Sequence, residues 1–207
     1  MIPRLAVAQV LAPSRTAGGD DRVAVITHAR GTTLVIADGA GGTGRGGQAA
    51  DRLVDFLRDL LRADRGIEDP VVTLHAADEE IRQRAGGGET TGNVLTFDAT
   101  GIHGASVGDS EAWMIGDHVV TLTEGQWRKP LLGSGEATPI RFAVPSLDGT
   151  LVLASDGLWK YAGASTIAAA VRGLAPEAAA AALVALVRFP NGRLQDDVAV
   201  IVATAIG

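Results

Sequence analysis

Along this chain the apolar positions change their period several times. Short β-rich runs come first: one ending at Leu11, then residues 22–26 and 32–37, which the segment at 28–31 joins as a hairpin. After a glycine-dense loop at 39–47, residues 48–62 place Ala49, Leu53, Phe56, Leu57 and Leu60 on one side and arginines and aspartates elsewhere, which predicts an amphipathic helix. Asp69-Pro70 reads as an N-cap with proline at the first helical position, opening a second helix that runs to about Arg84 and stops at Gly86-Gly87-Gly88. The pattern then returns to short strands at 94–97, 102–107 and 112–115. These are punctuated by Ala99-Thr100-Gly101, Gly108-Asp109-Ser110 and Gly116-Asp117, which predicts an antiparallel meander. Residues 124–145, rich in glycine and proline, read as loop. A buried strand at 150–154 ends at Ser155-Asp156-Gly157, two alanine-rich helices follow, and residues 198–205 form the closing strand. Strand runs separated by helix pairs, without βαβ alternation, predict an α+β layered domain containing antiparallel sheets.

Composition narrows the functional classes. The 207 residues are 46% hydrophobic, enough for one domain with a substantial core, and residues 1–207 are expected to form that single domain without internal repeats. A formal net charge of -6 gives no electrostatic reason to bind nucleic acid or an anionic membrane, so an anionic substrate needs local groups or metal ions. Cysteine is absent, which excludes disulfides and thiolate zinc sites and suits a reducing, cytoplasmic setting. The apolar run near the N-terminus is short, lacks a small-x-small cleavage pattern and is followed by Arg15 and Asp20-Asp21, so it reads as a first strand and not a signal peptide. The apolar stretch at 167–187 is broken by Arg172, Pro176 and Glu177 and reads as core-facing helices, not a membrane span.

Two motifs mislead. Gly39-Ala40-Gly41-Gly42-Thr43-Gly44 matches G-x-G-x-x-G between a strand and a helix, but the second parallel strand with its terminal acidic residue is missing. Arg45-Gly46 also stands where a P-loop has Lys-Ser/Thr. Gly104-Ala105-Ser106-Val107-Gly108 matches a nucleophile elbow, yet Asp109-Ser110 and another strand follow where a helix is required, so Ser106 reads as a sheet residue. The histidines at 28, 75, 103 and 118 show no metal-binding spacing.

What remains is a set of aspartates in turns at strand ends: Asp20-Asp21, Asp38-Gly39, Gly108-Asp109-Ser110, Ser155-Asp156-Gly157 and Asp196-Asp197. Each alone is an ordinary turn former. Asp38 and Asp156 both end apolar strands and Asp196 precedes one, so all could meet at one edge of a sandwich. Carboxylates and the Gly39 carbonyl are the ligands hard divalent cations take.

Five segments in order, Val35-Ile36-Ala37-Asp38-Gly39-Ala40-Gly41-Gly42, Thr90-Thr91-Gly92, Ala105-Ser106-Val107-Gly108-Asp109-Ser110, Leu151-Val152-Leu153-Ala154-Ser155-Asp156-Gly157-Leu158-Trp159 and Asp196-Asp197-Val198-Ala199-Val200-Ile201-Val202, resemble the motifs of the metal-dependent protein phosphatase 2C (PPM) family. The resemblance spans nearly the whole chain. It implies a central antiparallel β-sandwich flanked by helix pairs, with two Mn²⁺ or Mg²⁺ ions, and a possible third, at one end. It implies that Asp38 bridges both core ions, that the Gly39 carbonyl joins one, that Asp156 and Asp196 complete the other, and that Asp109 holds a further, looser ion. One of Asp20 or Asp21 would contact a metal directly or through water, and Arg15 would meet the substrate phosphate. The implied reaction is hydrolysis of phosphoserine or phosphothreonine by a metal-bridging hydroxide.

The chain departs from the family pattern in places. Ala40 stands where some relatives carry histidine, Glu111 where arginine is common, and Asp197 where asparagine is usual; Arg15 lies one residue further from the acidic pair than usual. The segment 124–145 is much shorter than the usual substrate-facing flap. Two alternatives share the residues: a non-catalytic binding module, and a hydrolase of small phosphate esters. The expected partners are a phosphorylated protein and the Ser/Thr kinase paired with it, with no nucleic acid or membrane, and the chain is expected to be a monomer.

Overall fold

The structure, a computed structural model, describes residues 5–14, 19–40, 44–63 and 66–206. Among these residues, ten strands form two five-stranded antiparallel sheets. One runs in the order β2(Arg22–His28), β3(Gly31–Ala37), β4(Gly92–Asp98), β5(Gly101–Val107), β8(Ile140–Val144). The other runs β1(Leu5–Ala12), β10(Val198–Ala205), β9(Thr150–Ala154), β6(Glu111–Ile115), β7(Val119–Thr121). Helices α1(Gly46–Arg62) and α2(Pro70–Arg84) cover the first sheet; α4(Ala164–Val171) and α5(Pro176–Leu186) cover the second, beside the short α3(Asp156–Trp159). The result is the expected α-β-β-α layering.

The apolar runs are continuous because the central strands are buried on both faces, each side chain alternating between two cores. In β3, Leu34 and Ile36 enter the core between the sheets while Val35 and Ala37 meet α1 and α2. In β10, Ala199, Ile201 and Ala203 point between the sheets while Val198, Val200 and Val202 meet α4 and α5. The predicted cap of α2 forms: Asp69 Oδ1 accepts from Val71 N at 2.9 Å and Val72 N at 3.3 Å, with Pro70 at the first position. α1 buries Ala49, Leu53 and Leu57 as expected, whereas Phe56 and Leu60 only flank that core.

Two expectations are corrected. The strands at 94–115 are not one meander: β4 and β5 pair in one sheet, and β6 pairs with β9 and β7 in the other. The chain changes sheets at Gly108-Asp109-Ser110, where Gly108 takes a left-handed φ of 95° that favours glycine. The stretch 124–145 is not all loop, because residues 140–144 pair with β5. Their alternation is hidden between Pro139 and Pro145.

Register then fixes the site. Arg22 faces Ala37, Gly92 faces Val107, Ala12 faces Val198, and Ala154 faces both Val200 and Glu111. The ends of β1, β3, β5 and β9 and the starts of β2, β4, β6 and β10 therefore lie at the same edge of the sandwich, and every aspartate of the five turns sits there.

Candidate metal centre

A cavity of about 370 Å³ opens at that edge, lined among others by Ser14, Asp21, Asp38, Gly39, Asp109, Asp156 and Asp196. Carboxylate oxygens of Asp38, Asp109 and Asp156 lie within 4.8 Å of one another. Asp109, which the sequence resemblance assigned to an outer ion, thus stands within that same distance of both Asp38 and Asp156. Asp196 lines the same cavity, and burial followed by the Asp156 charge pushes its carboxyl above the ordinary range.

Asp38 is held by its backbone. Its N–H donates to Thr91 Oγ1 at 2.9 Å, and its carbonyl accepts from Thr91 N at 2.8 Å and Thr90 Oγ1 at 3.0 Å. Thr91 Oγ1 in turn shares a hydrogen bond of 2.7 Å with Ser110 Oγ. The Thr90-Thr91 and Gly108-Asp109-Ser110 motifs therefore fix Asp38 and Asp109 relative to one another through buried hydroxyls. Gly39 and Gly46 meet backbone to backbone: a Cβ on Gly46 would come 2.5 Å from the Gly39 carbonyl carbon, so the start of α1 seats the Asp38-Gly39 turn.

On the other sheet, Ser155 N donates to the Ala199 carbonyl and Ser155 Oγ accepts from Ala199 N, joining the end of β9 to β10. A Cβ on Gly157 would come 1.8 Å from the Asp197 carbonyl oxygen. That close approach brings the start of α3, with Asp156, against Asp196-Asp197.

Asp20 and Asp21 both line the cavity and differ in their partners. Asp20 Oδ1 accepts from Gly47 N at 3.1 Å in the first turn of α1, where four backbone N–H groups lack intrahelical partners. Asp21 is 2% exposed, turns to Asp38, Asp156 and Ser155, and its Oδ2 has no hydrogen-bond partner. Burial, then the neighbouring carboxylates, push the Asp38 and Asp21 carboxyls well above the usual range. Asp197, which stands out in the sequence only as a replacement for the usual asparagine, faces the N-terminal loop. Its Oδ1 accepts from Ser14 N at 2.7 Å and Ser14 Oγ at 2.8 Å, and its Oδ2 from Asp20 N at 2.7 Å. Burial alone would raise its carboxyl, but these hydrogen bonds outweigh it and the net shift is downward. Arg15 lies outside the described residues; Ser14 and Gly19, the described residues that precede and follow 15–18, both line the cavity.

Among the described residues, two cations border the cluster. Arg128 Nε and a terminal nitrogen approach Asp109 Oδ2 at 3.0 and 2.6 Å, and Lys160 Nζ approaches Asp156 Oδ2 at 2.5 Å. Sequence reasoning passed over both, since neither stands in a motif. It also passed over Asp78 in α2, which is 4% exposed and accepts from the backbone N–H groups of Gly133, Gly135 and Ala137, pinning the short loop before β8. Ser106, as expected, is a buried residue of β5.

Carboxylates concentrated this way, one with an orphaned buried oxygen, are the donor set a hard divalent cation takes, and the residues fit such ions. No protein-family model matches the sequence, and no curated protein matches it. Solved structures do. A bacterial serine phosphatase superimposes with a TM-score of 0.83 at 19% identity, covering 99% of this chain and 98% of that one. The catalytic domain of the serine threonine protein phosphatase PstP, in complex with two manganese ions, gives 0.79 at 24% identity, covering 98% and 99%. The PPM Ser-Thr phosphatase MsPP from Mycobacterium smegmatis, in complex with cacodylate, gives 0.77 at 22% identity, covering 97% of each chain. The chain has the fold of these PPM-type phosphatases, over nearly its full length.

Proposed function

We propose that this protein is a metal-dependent phosphatase that hydrolyses phosphoserine and phosphothreonine in proteins. The observation that carries the reading is the meeting of the Asp38, Asp109 and Asp156 carboxylates within 4.8 Å at the sandwich edge. The manganese-bearing structure of a phosphatase of the same fold supports it.

Mn²⁺ or Mg²⁺ bound here would supply a nucleophilic water at neutral pH and offset the charge of the phosphoryl group. Asp38, the Gly39 carbonyl, Asp156 and Asp196 are the residues that would hold the two core ions, with Asp109 and Asp21 completing the set. Asp38 and Asp21 keep their protons more tightly than ordinary carboxyls in the metal-free protein, so ligation requires them to release protons. Thr91 and Ser110 keep Asp38 and Asp109 in place while this happens. Arg15 follows directly on Ser14, which Asp197 ties to the cavity, and a guanidinium there would pair with phosphate oxygens. No histidine lines the cavity among the described residues, and the carboxylates there would be ionised as ligands, which leaves water to protonate the leaving alkoxide.

The physiological substrate follows as a phosphorylated protein, the product of a Ser/Thr kinase. The test is phosphate release from an aryl phosphate and a phosphothreonine peptide with Mn²⁺, with Mg²⁺ and with excess chelator. Hydrolysis of both substrates, abolished by chelator, is expected. Full activity in chelator contradicts the metal-dependent reading, and hydrolysis of the aryl phosphate alone moves the substrate class to small phosphate esters.

A further inference from the structure

A second, smaller groove of about 290 Å³ adjoins the carboxylate cluster and shares Asp109 and Asp156 with it. Its walls carry Glu111, Gln126, Arg128, Trp159 and Lys160. At about the lower end of the range for ligand cavities, it has room for an amino-acid side chain.

The walls are fixed. Trp159 stacks on Trp113 with ring centroids 4.3 Å apart and donates its Nε1–H to the Ala154 carbonyl at 2.8 Å. On the facing wall, Gln126 Nε2 donates to the Ser110 carbonyl at 3.0 Å, and the Trp127 carbonyl accepts from Gly108 N at 3.1 Å. Further along this loop Leu132 and Thr90 exchange backbone hydrogen bonds of 3.0 Å, and Asp78 holds the backbone of Gly133 to Ala137. The shortened loop is thus a wall bonded to the core, not a projecting flap. Between its anchors it leaves the indole of Trp127 65% exposed.

Both basic side chains in the groove keep unused donors. Arg128 spends two of its nitrogens on the single oxygen Oδ2 of Asp109 and is 73% exposed; Lys160 spends one contact of its three donors on Asp156 and is 45% exposed. Cations ligated by Asp109 and Asp156 would draw on the same carboxylate charge and leave these two side chains with positive charge to offer. The remaining groove carboxylate, Glu111, accepts from Trp113 Nε1 at 2.6 Å and is turned to that indole.

We propose that this groove receives a residue flanking the phosphorylated one, and that Arg128 and Lys160 make it select an acidic side chain. The inference rests on the phosphatase reading and narrows its substrate class to phosphoserine or phosphothreonine set among acidic residues.

The experiment uses phosphothreonine peptides identical except that the residues on either side of the phosphothreonine are Glu, Gln or Lys, assayed in saturating Mn²⁺. The native protein should favour Glu over Lys by about tenfold in kcat/KM, the size two partly exposed charge pairs supply, with the difference mainly in KM. The double variant Arg128→Gln/Lys160→Gln should flatten the series, and Arg128→Glu/Lys160→Glu should invert it. Ratios between peptides on one protein cancel any loss of metal affinity or folded fraction. Hydrolysis of all three peptides at equal rates by the native protein, or an order unchanged in the charge-reversed variant, overturns this inference alone. Absence of metal-dependent hydrolysis of every peptide overturns the phosphatase reading, and this inference with it.

Discussion

Asp21 and Asp38 show most directly what the site is built for. Both are buried beside other carboxylates, and in the metal-free protein both hold a proton to higher pH than in the unfolded chain. From about pH 4 upward the folded state therefore binds more protons than the unfolded one, and stability falls as pH rises until the folded groups ionise. In chelator, the thermal midpoint should drop between about pH 5 and about pH 8; with excess Mn²⁺ the trend should reverse, because the ligated form is the ionised one. A midpoint in chelator that rises over that range contradicts the burial argument. Asp197 has the opposite sign: its lowered carboxyl stabilises the fold above the unfolded value and stops doing so as pH falls through its own. Asp197→Ala removes the acceptor for Ser14 and Asp20 and should cost about 2 kcal/mol in urea unfolding at neutral pH. An unchanged midpoint would mean that the N-terminal loop does not depend on it.

Among the elements, the strand ends carry the chemistry and the helices hold them. Asp78→Ala would leave the backbone N–H groups of Gly133, Gly135 and Ala137 without their acceptor and should cost about 3 kcal/mol, with kcat/KM for peptides falling more than that for an aryl phosphate. Equal losses on both substrates would separate the loop from substrate contact. Gly46→Ala drives a methyl into the Gly39 carbonyl and should destabilise by about 2–3 kcal/mol while weakening Mn²⁺ binding, checked by unfolding and metal titration together. The strands beside Asp38, Asp156 and Asp196 were legible in the sequence because apolar runs buried on two faces leave a plain signature beside turn residues, whereas the short α3 that begins at Asp156 was not. Asp20 and Asp21 were not distinguishable, since adjacent aspartates in one turn differ only in which accepts from the start of α1 and which is buried beside Asp38. Nor was the sheet change at Gly108-Asp109-Ser110 visible, because a strand pattern records burial and not the identity of its partner. The residues 140–144 between two prolines, Asp78 in a helix, and Arg128 and Lys160 outside any motif depend on long-range contacts that local periodicity does not encode.

At the scale of the whole molecule, the two sheets stack so that the five aspartate turns face one edge, where Asp21, Asp38, Asp109, Asp156 and Asp196 line one cavity and repel one another. Such an edge is stable as a cation site and strained without one. No helix among the described residues is long and apolar enough to cross a membrane. The most direct measurement of the central claim is calorimetric titration of Mn²⁺ into the metal-free protein near neutral pH, in buffers of different ionisation enthalpy. The account predicts at least two ions per chain, bound with proton release from the buried carboxyls, and loss of that binding in Asp38→Asn, which keeps the shape of the side chain but not its charge. Absence of binding by the native protein, or an unchanged stoichiometry and proton release in Asp38→Asn, would contradict it.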